Sequence, residues 1–243
     1  MRAFSLFAAT LISTALASPV VNLARLIAIS ACAFLISLRK NYRVLSADTG
    51  NHSQCVPQVA SSGTTAQPAD PQARMWLALH NAHRANHTDT CSVVWDQQLA
   101  NEAMISAQQC VFQHTNSGKD YGQNMGEAGA GTAPAAFTSM YYDEVKNFGA
   151  YWHQASVPMS EPIVLHFTQA VWKKTTSVGC AINNCGSMYL SYCNYRGPGN
   201  YDGEYADNVG DFVASPLPPI CSEIGSYGTD GSCITDDQLL QHF

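Results

Sequence analysis

Two stretches hold most of the side chains that could do chemistry: His166-Phe-Thr-Gln-Ala-Val-Trp-Lys-Lys-Thr175 and, about two dozen residues later, Tyr192-Cys-Asn-Tyr-Arg-Gly-Pro-Gly-Asn-Tyr201. The first reads as a short helix bearing an inward imidazole. The second reads as a strand that ends at Asn194-Tyr195 and turns through Gly197-Pro198-Gly199. Imidazole titrates near neutrality and is the commonest metal ligand, so general-base and metal chemistry are the options to weigh. His83 and His87 have the spacing of a metalloprotease zinc helix, but Arg84 stands where that chemistry needs a glutamate base. The sequence contains no Gly-x-Ser-x-Gly elbow, and the cysteines near both stretches read as bridge partners rather than nucleophiles. A non-enzymatic role is the expectation.

The elements that must position these residues can be read from caps and periodicity. Asp70-Pro71 supplies a cap and a first-turn proline for a helix carrying Met75, Leu79 and Ala82. Asp96 caps a second helix with Leu99, Ala103, Ala107 and Cys110/Val111 on one apolar face. Gly-rich residues 126–132 break the chain, and Pro134 begins a third helix through Phe137, Met140, Tyr141 and Val145 to about Phe148. The fourth helix is the short one at His166. Val178 to Ile182 and Met188 to Tyr192 read as an antiparallel hairpin around Asn183-Asn184-Cys185-Gly186-Ser187.

At 243 residues the chain has room for one domain of about 150 residues plus flanking segments. A net charge of −6 with 12% charged residues leaves no basic footprint for nucleic acid. Residues 1–17 read as a secretory signal peptide: Arg2, an apolar run from Phe4 to Leu16, and cleavage after Ala17. Residues 18–69 hold a second apolar run, Leu26 to Leu38, and a Ser/Thr/Pro linker. That run is too short for a stable membrane span of roughly 20 residues, and it is expected to be a pro-segment or a retained intron. Export to an oxidising compartment favours disulfides for the nine cysteines, and no Cys-x-x-Cys occurs. Asn51 and Asn86 begin glycosylation sequons. Residues 213–243 read as a tail in which Cys221 and Cys233 could close a local loop.

Both stretches resemble the signature motifs of the CAP superfamily, the cysteine-rich secretory, antigen 5 and pathogenesis-related proteins. His80-Asn81 with Arg84 resembles that family's first-helix motif. The resemblance implies an α+β fold over residues 70–212, a CAP-type α-β-α sandwich in which helices flank a small antiparallel sheet. It also implies Cys110–Cys185 and Cys180–Cys193 bridges, which chain-entropy arguments value at about 4 and about 3 kcal/mol. Cys55 with Cys91 is a further possible pair.

The family's central cleft, carried over residue by residue, falls on His114, Gln123, Glu144 and His166. Gln123 departs from the pattern, standing where the family usually has glutamate. His114, His166 and Glu144 would suit a divalent cation such as zinc, which no reading of the sequence makes a required cofactor. The amide at 123 removes one negative charge and should weaken such binding. The alternative is that these four residues only hold the cleft together by hydrogen bonds. The resemblance is strongest to secreted fungal sterol-binding members, which implies a lipid site at Phe148, Tyr151 and Trp152 for a sterol or fatty acid. The fungal loop's usual Asn-Pro-Gly-Phe is missing here. Burial of about ten methylene-sized groups at ~0.8 kcal/mol each would support micromolar affinity before ordering costs. A second groove, between the first and third helices, would involve Trp76, Leu79, Met140 and Tyr141, which plain core packing explains better. The competing functions are a cation-dependent hydrolase using His114, Glu144 and His166, and an interaction module for a host or cell-wall protein.

Overall fold

The computed structural model describes residues 67–129, 133–160, 163–223 and 232–243. The signal peptide, the apolar run Leu26 to Leu38 and the sequon at Asn51 lie outside the described residues. Helix α1 (Pro71–Ala85) starts as its sequence dictates, with the Asp70 carboxylate accepting the Ala73 amide and proline in the first turn. Strand β1 (Val94–Trp95) leads into α2 (Gln97–Gln108), where the Asp96 carboxylate accepts the amides of Gln98 and Leu99. Strand β2 (Tyr121–Ala128), helix α3 (Pro134–Tyr142) and two 3-10 turns (Asp143–Asn147 and Gly149–Tyr151) follow. After a loop come α4 (Leu165–Ala170), β3 (Ser177–Asn184), β4 (Tyr189–Arg196), α5 (Tyr205–Asn208) and α6 (Asp236–His242).

The sheet order is β1-β3-β4-β2. Its three long strands are antiparallel, and the two-residue β1 adds a parallel edge on β3. The hairpin runs longer than its apolar core suggests, because Cys180 lies opposite Cys193 and pairing continues out to Ser177 opposite Arg196.

Alternation along β3 and β4 sorts the core onto two faces. Val178, Cys180, Ile182, Cys193 and Tyr195 pack with Trp76 and Leu77 of α1 and Phe137 and Tyr141 of α3. Ala181, Leu190 and Tyr192 meet Ala103 and Ala107 of α2 on the other face. The result is an α-β-α sandwich. Gly179 permits it, since a Cβ there would lie 2.2 Å from the Ala100 nitrogen of α2. Trp76, Leu79 and Tyr141 are core residues and only Met140 is exposed, so these four form no open groove between α1 and α3.

Bridges join Cys110 to Cys185, Cys180 to Cys193 and Cys221 to Cys233, with Cα separations of 5.5, 4.1 and 5.0 Å. Cys91 is also disulfide-bonded. Residues 213–223 and 232–243 do not behave as a loose tail. They bury Ile220, Ile234 and Leu239, and Glu223 inserts to accept a hydrogen bond from Thr138 of α3 while pairing with His83 of α1 at 2.6 Å. Among the described residues, no helix is long and apolar enough to cross a membrane.

Candidate functional site

The four cleft residues form two pairs. His114 Nδ1 lies 3.1 Å from Gln123 Oε1, and His166 Nδ1 lies 2.6 Å from Glu144 Oε1. The amide of Gln123 has a fixed orientation. Its oxygen accepts the backbone N–H of Thr115, and its nitrogen donates to Asn194 Oδ1, whose own Nδ2 donates to the Leu99 carbonyl. His114 must therefore carry its proton on Nδ1 to donate to Gln123. His166 donates from Nδ1 to the Glu144 carboxylate in the same way.

Glu144 also explains why α3 stops early. The expected helix to Phe148 gives way to a 3-10 turn after Tyr142, and that turn carries the carboxylate to the start of α4. There Glu144 Oε2 accepts the amides of His166 and Phe167, two of the donors every helix N-terminus leaves unpaired. Both oxygens of Glu144 are thus committed to α4, so this residue orients His166 instead of facing a cation. His114, Glu144 and His166 do not bring their ligand atoms within 4.8 Å of one another. Among the described residues the trio that does is His80, Cys180 and Cys193, and there the thiols form a disulfide. Each imidazole is held in place through its Nδ1.

The two pairs are joined through Asn124, which sequence reasoning did not single out. Asn124, next to Gln123 on β2, donates to the His166 carbonyl and to the Tyr195 hydroxyl. Tyr195 in turn donates to His80 Nε2, because His80 Nδ1 donates to the Trp76 carbonyl. Burial pulls the His80 pKa down to about 4, against the pull of that backbone bond.

The two signature stretches brace one another. Gln169 Oε1 accepts the Gly199 amide at 2.8 Å, Thr175 donates to the Gly197 carbonyl at 2.7 Å, and Asn200 donates to the Leu165 carbonyl at 2.8 Å. Gly197 has φ +73 and a Cβ on it would collide with the Lys174 carbonyl oxygen, so the turn needs a residue without Cβ. Arg84 completes the brace. Its guanidinium is fully buried and donates to the carbonyls of Cys91, Ala170, Trp172 and Thr175. An open cleft of about 430 Å³ runs past His114, Gln123, Gln169, Gly199 and Tyr201.

The three aromatic residues assigned to lipid do not share one environment. Phe148 is 1% exposed and belongs to a second apolar cluster with Val157, Val164, Phe167, Val171, Trp172, Tyr205 and Val209. Tyr151 and Trp152 are half-buried against it. Trp152 meets Phe148 edge to face at 4.9 Å. His153 follows with φ 63, a left-handed conformation that is uncommon for residues other than glycine, and turns the chain into a loop over the cluster. Residues 152–160 contain no helix or strand, and Met159 projects outward at 71% exposure.

Asn86 caps α1 with its amide turned into the fold, Oδ1 accepting the Leu217 amide at 2.7 Å. The next residue, His87, is buried, donating to the Gly210 carbonyl and accepting from Tyr142.

These features define a disulfide-bonded sandwich whose signature turns lock together beside an open cleft lined by His114 and Gln123. The family described as CAP, the cysteine-rich secretory protein family, matches residues 77–195. Fruiting body protein SC7 of Schizophyllum commune is 33% identical over 152 residues, covering 56% of this chain and 69% of that protein. The chain belongs to the CAP family. It is also similar to Protein PRY2 of Saccharomyces cerevisiae, 37% identical over 134 residues, covering 54% of this chain and 38% of PRY2. Pathogenesis-related protein PR-1 of Medicago truncatula is 40% identical over 119 residues, covering 46% of this chain and 66% of that protein. The chain thus spans well under half of PRY2's length.

Proposed function

We propose that this CAP protein is a secreted, non-enzymatic carrier that binds a sterol or fatty acid in the apolar cluster beneath residues 152–160. The observation that carries this reading is the separateness of that cluster. It is a second body of apolar side chains outside the sandwich core, covered by a segment with few backbone hydrogen bonds. Segments of that kind open at low free energy, while the Cys110–Cys185 and Cys180–Cys193 bridges hold the sandwich. A guest entering under the loop would replace loop side chains against Phe167, Val171 and Val209. Lipid export, or action at a host or cell-wall surface, would follow from carrying such a guest outside the cell. Mass spectrometry of lipids co-purified with the secreted protein tests the reading: sterol or fatty acid at near one equivalent supports it, and a lipid-free protein that takes up neither removes it.

A second activity of the cleft, divalent-cation binding, is favoured by the orientation of His114 and His166 with both Nδ1 atoms engaged. Zinc titration of the wild type and of His114→Ala with His166→Ala tests it. Loss of a stoichiometric binding event in the double variant supports the site, and equal uptake by both proteins rejects it.

A further inference from the structure

Cys180 and Cys193 stand opposite one another on β3 and β4, the two central strands of the sheet, and His80 of α1 meets them in the core. One ring nitrogen and the two sulfurs all lie within 4.8 Å of one another, and all three residues are buried. Ligand atoms around a tetrahedral zinc ion, with zinc–sulfur bonds of about 2.3 Å and zinc–nitrogen bonds of about 2.0 Å, stand about 3.5–3.8 Å apart. Opening the bridge lets the sulfurs separate to that spacing, and the imidazole then has little distance to close.

We propose that His80, Cys180 and Cys193 form a redox-gated zinc site, shut while the disulfide stands and opened when a small-molecule thiol reduces it. Two molecules of the thiol supply two electrons and two protons, the Cys180–Cys193 S–S bond breaks, and the reductant leaves as its own disulfide. Zinc then displaces the two thiol protons to solvent and is held by two thiolates and one neutral imidazole. The strand register keeps the thiols together after reduction. β3 and β4 pair from Ser177 opposite Arg196 to Asn184 opposite Tyr189, and β2 holds the far edge of β4 with Asn124 opposite Cys193. His80 is oriented as metal-binding histidines are, its Nδ1 donating to the Trp76 carbonyl and its Nε2 keeping a lone pair. The Tyr195 hydroxyl, 2.9 Å from Nε2, is an oxygen at hand for a fourth position. Charge fits as well, since zinc with two thiolates is neutral and the surroundings include Trp76, Phe137, Val178 and Ile182. Two sulfurs and an imidazole suit zinc and not magnesium or calcium.

Cobalt(II) serves as the probe, because thiolate ligation gives it a charge-transfer band that imidazole ligation alone does not. The full secreted protein is reduced with a phosphine, desalted under nitrogen and titrated with cobalt, beside His80→Gln and the double variant Cys180→Ala with Cys193→Ala. Thiols released from the other bridges are common to all three proteins. The reduced wild type is expected to bind one more thiolate-ligated equivalent than the double variant, to lose it to added zinc, and to melt at a higher temperature with zinc than without. The oxidised wild type should lack this equivalent. His80→Gln should hold it at least about tenfold more weakly, since even partners one step removed from a metal cost that much. The cysteine comparison decides by itself if His80→Gln does not fold. Equal thiolate bands in the reduced wild type and the double variant, or undiminished affinity in folded His80→Gln, would overturn the proposal. So would a reduced wild type that stays unfolded in the presence of zinc.

Discussion

The Ala155 carbonyl accepts the amide hydrogen of Tyr205 at 3.2 Å, tying the exposed loop to the first residue of α5. Through this bond the loop over the second apolar cluster and the unpartnered Tyr205 hydroxyl share one backbone contact. Movement of residue 155 away from the cluster breaks this bond.

Aromatic substitutions around the loop should therefore separate stability from binding. Phe148→Ala removes a fully buried ring and should destabilise the protein by about 3–5 kcal/mol. Trp152→Ala and Tyr151→Ala, at half-buried positions, should cost less in stability and change lipid affinity more. Chemical denaturation alongside sterol binding for the three variants checks this. Equal stability losses across them would contradict the assignment of Phe148 to packing.

Acid should destabilise the fold between about pH 6.5 and pH 4. His80 and His87 are each held down to about 4 from 6.5, mainly by burial, and each is neutral in its hydrogen-bonded state. The unfolded chain binds more protons in that window, so stability is fully present above 6.5 and falls as pH drops through 4. Each site contributes a slope of up to ~1.4 kcal/mol per pH unit. Melting temperature against pH for the wild type and His87→Gln should show a shallower acid limb in the variant.

Arg84→Met should be among the most damaging single changes. It strips donors from four buried carbonyls, and its guanidinium is itself pulled down to about 9 by burial, a sign of how little solvent reaches it. Each orphaned carbonyl costs about 1–3 kcal/mol before relaxation, so failure to accumulate as folded protein is the expected result. Arg84→Lys should recover only part of the loss, because an ammonium cannot reproduce the planar fork. Secretion yield and thermal melts give the readout.

Gln123→Glu should lower stability even as it adds a charge to the cleft. Gln123 Nε2 donates to Asn194 Oδ1 at 2.9 Å, and a carboxylate oxygen there would face an acceptor whose amide is fixed by the Leu99 carbonyl. A loss of about 1–3 kcal/mol is expected, together with tighter zinc binding if the two imidazoles hold a cation. An unchanged denaturation midpoint would show that Asn194 turns over without penalty.

The helix starts were legible because Asp70-Pro71 and Asp96 act locally, through capping bonds within three residues. The hairpin was legible from two apolar runs around a turn, and the cleft residues only through the family resemblance. The end of α3 was not, because it is set by Glu144 reaching the amides of a helix 22 residues further on. The packing of residues 213–243 was also hidden. Pro216, Pro218 and Pro219 read as loop, while burial of Ile220 and the Glu223–His83 pair depends on α1 lying beneath them. Trp172 and Tyr205 look like ordinary apolar residues in sequence, and only the three-dimensional structure shows their polar atoms without partners.

Direct binding of radiolabelled cholesteryl acetate to the purified protein tests the central claim most simply. The account predicts saturable binding at about one equivalent with micromolar or tighter affinity, weakened at least severalfold by Trp152→Ala in a variant that remains folded. Absence of saturable binding by the wild type, or undiminished binding by folded Trp152→Ala, would contradict a lipid site beneath residues 152–160.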